Sequence, residues 1–184
     1  MPHLPSLPTD ATLIDIFQMY PEFARTSLAL TDVIMRGPSP FSVAEREAIA
    51  AYVSSINACA YCEGVHSSAA VGLGMESRDV QAVCELPDAT ANPKLMPVLT
   101  YVAKLTRAPA TVTADDTQRI LDAGWDTTAI SHAAFVAGLF AMMNRVVEGH
   151  GIKGDAAYYR EGGERLAKIG YAGLAAMLNG NPAK

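Results

Sequence analysis

The stretch Ser42–His66, SVAEREAIAAYVSSINACAYCEGVH, decides how the rest of the chain is read. It opens on Ser42-Val43-Ala44-Glu45, the capping-box pattern in which a serine and a glutamate three residues on satisfy each other's backbone N–H at a helix start. Ile49, Tyr52, Val53 and Ile56 follow at helical spacing and predict one buried face, with Asn57 as a left-handed terminator. A second helix is predicted from near Cys59. It carries Cys59 and Cys62 as a C-x-x-C pair, and His66 falls one turn beyond Cys62 on the same face. Two thiols at that spacing, followed by a histidine, suit redox chemistry or metal binding.

The flanking sequence continues the helical pattern, and no sustained alternation of β-branched and polar residues predicts a strand. Pro21 opens a helix running toward Met35 that stops at Gly37-Pro38. Beyond the motif, a helix ends around Gly72 to Gly74, and Glu76 to Leu86 makes a short successor before Pro87-Asp88. Asn92-Pro93 starts a helix through Leu105, Thr113 caps the next, and Asp126 caps a long apolar one that His150-Gly151 closes. Asp155 to Leu178 is helical in pattern, but Gly162-Gly163 and Gly170 argue against an unbroken helix. The expectation is an all-α, compact helical bundle forming a single domain over 1–184, with its redox core at about 42–80 and a flexible stretch at 1–10 that includes His3.

Half of the 184 residues are hydrophobic and only 18% are charged, so the helix surfaces are expected to meet other helices or another subunit, as in a homo-oligomer. A formal charge of -5 with no basic run argues against nucleic acid as a partner. Met1–Asp10 lacks the basic and apolar regions of a signal peptide, which gives a cytoplasmic location by default. The apolar run Ala133–Met143 is too short to cross a bilayer and predicts a buried helix, with Phe135, Phe140, Met142 and Met143 as packing residues and no membrane partner. Cys84, among Val80, Val83 and Leu86, reads as a buried inert thiol. Trp125 reads as a loop anchor.

A thiolate is the reactive form of cysteine, and the first turn of a helix stabilises its charge. By analogy with other C-x-x-C sites the first cysteine, Cys59, is the more exposed nucleophile. The histidine argues for Cys62, because only that sulfur lies within one helical turn of His66. An acidic residue completes a relay; Glu47 on the preceding helix suits it better than Glu63, which points about 100° away from Cys62. A zinc site using Cys59, Cys62 and His66 with His132 or His150 is the chemical rival, though no second C-x-x-C is present.

Glu47, Cys59, Cys62 and His66, together with the Ala-rich intervening helix and Gly72-x-Gly74, resemble the core of the alkylhydroperoxidase D-like, or carboxymuconolactone decarboxylase-like, family. The 12 residues from Glu47 to Cys59 match that family's spacing. The resemblance implies that Cys62 attacks a peroxide and becomes a sulfenic acid, that Cys59 resolves it to a disulfide, and that Glu47 and His66 relay protons. It also implies an oligomeric helical fold, no prosthetic group, and a protein or lipoyl-type dithiol as reductant. Where the best-known members carry a second histidine, this chain has Tyr61, as in a peroxidase-related branch; tyrosine, with a reference pKa of about 10, is a poor base at neutral pH. A decarboxylase and a non-catalytic redox sensor or ligand-binding oligomer are the alternatives on the same fold.

Overall fold

The computed structural model describes residues 1–85 and 92–179, and among them every regular element is helical. In chain order these are α1 (Leu13–Met19), α2 (Pro21–Arg36), α3 (Val43–Ile56), α4 (Ala60–Gly72), α5 (Ser77–Glu85), α6 (Met96–Arg107), α7 (Ala114–Asp122), α8 (Thr127–His150) and α9 (Ala156–Asn179). The predicted starts rest on the expected side chains. Ser42 N–H donates to Glu45 Oε2 at 2.8 Å while Glu45 N–H donates to Ser42 Oγ at 3.2 Å, and Asp126 Oδ1 accepts from Ala129 N–H at 2.9 Å. Gly151 ends α8 with φ 68°, a left-handed conformation that glycine adopts without steric cost. Pro93 opens a 3-10 turn, Pro93–Leu95, that leads into α6. Leu86 and Pro87-Asp88 lie outside the described residues.

Helix α3 is central, with α2, α4, α5, α6 and α8 packed around it. Its expected single buried face is corrected: every residue from Arg46 to Ser54 is buried, because neighbouring helices cover all sides. The left-handed residue after α3 is Ala58 (φ 55°), one position later than expected, while Asn57 spends its side chain on Asn144 Oδ1 at 2.9 Å. Trp125 donates from Nε1 to Lys94 O at 2.8 Å and packs on Phe41, anchoring its loop.

Helix α4 is sandwiched between α3 and α9. Gly163 explains why α9 runs through the glycine pair instead of breaking there: a Cβ at that position would lie 2.5 Å from the backbone oxygen of Val65 on α4. The helix breaks later, at Gly170 (φ 64°, ψ -172°), a region of backbone space open essentially to glycine alone.

Helix α8 corrects the apolar run upward. At 24 residues it is long and apolar enough, by length and composition, to cross a membrane, yet half of its apolar window is buried inside the fold. Phe140 and Met143 pack inward, whereas Phe135 and Met142 are exposed, contrary to expectation. The N-terminal stretch lies against the end of this helix: His3 N–H donates to His150 O at 2.9 Å, and Leu7 is buried with Ile16, Val147 and Ile152.

Candidate active site

Helix α4 begins at the dithiol. Cys59 is its N-cap residue and Cys62 lies in its first turn, so the free amides and the dipole of the helix start act on both sulfurs. Both thiols are free and buried, Cys59 completely and Cys62 with 3% of its surface exposed. The hydrogen bond between the sulfurs lowers the Cys59 thiol, with burial opposing, and raises Cys62, with burial adding. Outside the pair, an Asn144 hydrogen bond acts to lower Cys62 and a Glu148 hydrogen bond acts to raise Cys59.

His66, one turn past Cys62, is fixed by Glu47 and Phe140. Its Nδ1 lies 2.6 Å from Glu47 Oε2, and its ring packs edge-on against Phe140 with centroids 4.4 Å apart. Glu47 is fully buried in the second turn of α3. Burial alone would raise its carboxyl, but the His66 hydrogen bond and charge, with Arg36, outweigh burial and hold it below the ordinary carboxylate value. Arg36 Nη1 sits 2.7 Å from Glu47 Oε1, and the Tyr171 hydroxyl donates to the same oxygen at 3.1 Å. With Nδ1 held by Glu47, Nε2 is the ring nitrogen left for proton exchange.

Helix ends deliver these partners. Arg36 is the last residue of α2, whose terminal carbonyls at Ile34 and Gly37 are bound by Arg46 Nη1 at 3.1 and 2.9 Å. Tyr171 follows the Gly170 break in α9, and the Arg36 guanidinium lies over its ring at 4.8 Å. Burial pushes the Tyr171 phenol well up, so it serves Glu47 as a donor.

Cys62, His66, Tyr61 and Tyr171 all line one cavity of about 120 Å³, whose remaining wall is mostly apolar, from Phe17, Leu28 and other residues of α1, α2, α8 and α9. Cys59 is not on that wall. Tyr61 O–H pairs with Tyr158 O–H at 3.1 Å, and burial above all raises its phenol, so it stays neutral.

The structure therefore brings Cys59, Cys62, His66 and Glu47 together, and Tyr61 beside them. Glu63 faces a different cavity, shared with Cys84 and Glu85. Cys84 is partly buried beside Ser67, and burial pushes its thiol up to about 11, which suits an inert residue. His132 Nε2 bonds Ile34 O at 2.6 Å and His150 Nδ1 bonds Val146 O at 2.7 Å, so neither joins the thiols as a metal ligand. Among the described residues no three His, Cys, Asp or Glu converge as a metal-binding group. Sequence reasoning missed Arg36, Tyr171, Asn144 and Glu148. The last two left a signal, as polar residues four apart within an apolar helix.

Residues 21–105 match the carboxymuconolactone decarboxylase family, a span that includes Arg36, Glu47 and the dithiol but stops short of Asn144, Glu148 and Tyr171. An uncharacterised peroxidase-related protein from Silicibacter sp. TM1040 is 29% identical, with a TM-score of 0.74 over 80% of this chain and 78% of that one. A second uncharacterised peroxidase-related protein, from Ralstonia eutropha JMP134 and described as an alkylhydroperoxidase AhpD core, gives the same TM-score of 0.74 at 19% identity, over 81% of this chain and 78% of that one. No curated protein matches. Over residues 21–105, a little under half of the chain, the protein is similar to the carboxymuconolactone decarboxylase family, and its helical fold is shared with these two peroxidase-related proteins.

Proposed function

We propose that the protein is a thiol-dependent peroxidase, with disulfide exchange toward an external dithiol as the second half of its cycle. The observation that carries this reading is the shared cavity wall: Cys62 and His66 face the same apolar space, and His66 is oriented by an ionised Glu47. His66 Nε2 takes the Cys62 proton, the thiolate attacks one peroxide oxygen, and the O–O bond breaks. The departing alkoxide takes the proton back from His66, leaving an alcohol and a Cys62 sulfenic acid. Cys59 then displaces the oxygen as water and forms the disulfide, which a protein or lipoyl-type dithiol reduces while becoming a disulfide itself.

Glu47 acts here as an orienting anion. With Arg36, His66 and Tyr171 on its oxygens it stabilises the imidazolium and holds the tautomer, and it does not itself take the proton. The cavity approaches the size of the roughly 150 Å³ apolar cavity known to hold benzene, which suits a hydroperoxide bearing a compact apolar group. Val33 of α2 and Phe135 of α8 are exposed on one shallow depression, which supports a homo-oligomer. Light scattering that returns the mass of one chain would remove that part.

The test is mass spectrometry with a sulfenic-acid trap under excess cumene hydroperoxide. Cys59→Ser is expected to carry the trap on Cys62, wild type to carry a disulfide, and His66→Ala to oxidise about 100-fold more slowly. Equal rates in wild type and His66→Ala would remove the histidine from the mechanism. A single oxidation without turnover on added dithiol would favour a redox sensor.

A further inference from the structure

Cys59 has no exposed surface, so a proton leaving its thiol passes to a neighbouring group and not directly to bulk water; its backbone N–H donates to Ser54 O at 2.9 Å. Helix α8 supplies one. Asn144 and Glu148 are four residues apart, one turn above the other on the same face; the Asn144 bonds to Ser54 and Asn57 seat this part of α8 against the loop that carries Cys59, where Asn144 acts on the Cys62 thiol and Glu148 on the Cys59 thiol. Val147, between them, packs in one apolar cluster with both cysteines.

Asn144 is rigidly held. Its Nδ2 donates to Ser54 Oγ at 3.0 Å and its Oδ1 accepts from Asn57 Nδ2 at 2.9 Å. Nδ2 keeps a second hydrogen, free of Ser54, to offer toward Cys62. Glu148 differs: it is half-buried, reaching Cys59 on one side and water on the other. Glu47 cannot do this work, because it has no exposed surface and its oxygens are taken by Arg36, His66 and Tyr171.

We propose that Glu148 is the catalytic base and acid of Cys59. Resting on the peroxidase reading, its carboxylate takes the Cys59 Sγ proton as that sulfur attacks the Cys62 sulfenic acid. The S–S bond forms and the S–O bond breaks; the hydroxide gains a proton from solvent through the cavity and leaves as water, and Glu148 returns its proton to solvent. In the reverse half-cycle the thiolate of an external dithiol attacks Cys62 Sγ, and Cys59 departs with a proton from Glu148. The second thiol of the reductant then displaces Cys62, so the reductant leaves as a disulfide and its two electrons stay on the cysteine pair.

The experiment compares disulfide closure in wild type, Glu148→Gln and Glu148→Asp by rapid quench, with a 1,3-dicarbonyl trap for sulfenic acid, under excess cumene hydroperoxide. Closure is expected to slow about 10- to 100-fold in Glu148→Gln, with trapped Cys62 sulfenic acid accumulating, and less in Glu148→Asp, which keeps a carboxylate at shorter reach. Closure at the wild-type rate in Glu148→Gln would overturn the assignment. If peroxide gives neither a disulfide in wild type nor trapped sulfenic acid in Cys59→Ser, it is the peroxidase reading that fails. Glu148 is then judged on opening of a diamide-formed disulfide by dithiothreitol, where a similar slowing in Glu148→Gln supports it and equal rates overturn it.

Discussion

Two carboxylates reach the dithiol region from two different helices, α3 and α8, and their surroundings give them opposite work. Glu47, on the central helix, is fully buried with an arginine, a histidine and a tyrosine on its oxygens. Glu148, near the end of α8, is half-buried against a single thiol. The first is a fixed charge that orients an imidazole; the second has the solvent access that proton exchange requires. The same side chain thus becomes an anchor or a proton carrier according to how many donors surround it and whether water reaches it.

The comparison breaks most visibly in stability. Glu47→Gln leaves the Arg36 guanidinium without its counter-charge in a largely buried setting, and truncating one partner of a buried ion pair typically costs a few kcal/mol. Urea unfolding of Glu47→Gln at pH 7 is expected to show a loss of about 3 kcal/mol, with Glu148→Gln losing less than about 1 kcal/mol because its half-exposed carboxylate has no buried cation to strand. The sign with pH follows from Glu47 being held below the ordinary carboxylate value. The unfolded chain takes up the proton first, near about pH 4.3, so the contribution is complete above that value and is lost as pH falls toward the folded value. The gap between wild type and Glu47→Gln should therefore be full at pH 7 and narrow below about pH 4. A gap independent of pH would mean that Glu47 is not the charged partner.

The Glu47 side was largely legible in the sequence, and the Glu148 side was not. Glu47, Cys59, Cys62 and His66 lie within 20 residues of one another, on two helices whose caps and terminators are written locally, so helical spacing alone brought three of them together. Arg36 and Tyr171 reach Glu47 from helix ends far along the chain, and no local pattern encodes a long-range meeting at the centre of a bundle. Gly170 signalled the break that the fold shows, without saying that the break would turn Tyr171 onto Glu47. The glycine pair at Gly162-Gly163 read as a helix breaker because propensity outranks packing in a single sequence. In the fold Gly163 instead allows α9 to approach the α4 backbone. Asn57 was misread for a related reason: a residue suited to a left-handed turn was instead used for its amide.

The smallest expected effect separates the charge of the Glu47 clamp from its hydrogen bonds. Tyr171 stands just past the Gly170 break, and its hydroxyl reaches the two Glu47 oxygens at 3.1 and 3.4 Å while Arg36 covers the ring. Tyr171→Phe keeps the ring and its contact with the guanidinium and removes only the hydroxyl, so Glu47 retains Arg36 and His66. A hydrogen bond to a charged acceptor contributes about 1.5–3 kcal/mol, but with two other partners still in place the expected loss is near about 1 kcal/mol. His66 remains bonded to Glu47 in this variant, so Cys62 oxidation is expected to slow far less than in His66→Ala. Parallel urea titrations and peroxide oxidation rates on the same preparations check both halves. A loss as large as that of Glu47→Gln would mean that the tyrosine, and not the arginine, is what keeps Glu47 ionised in the core.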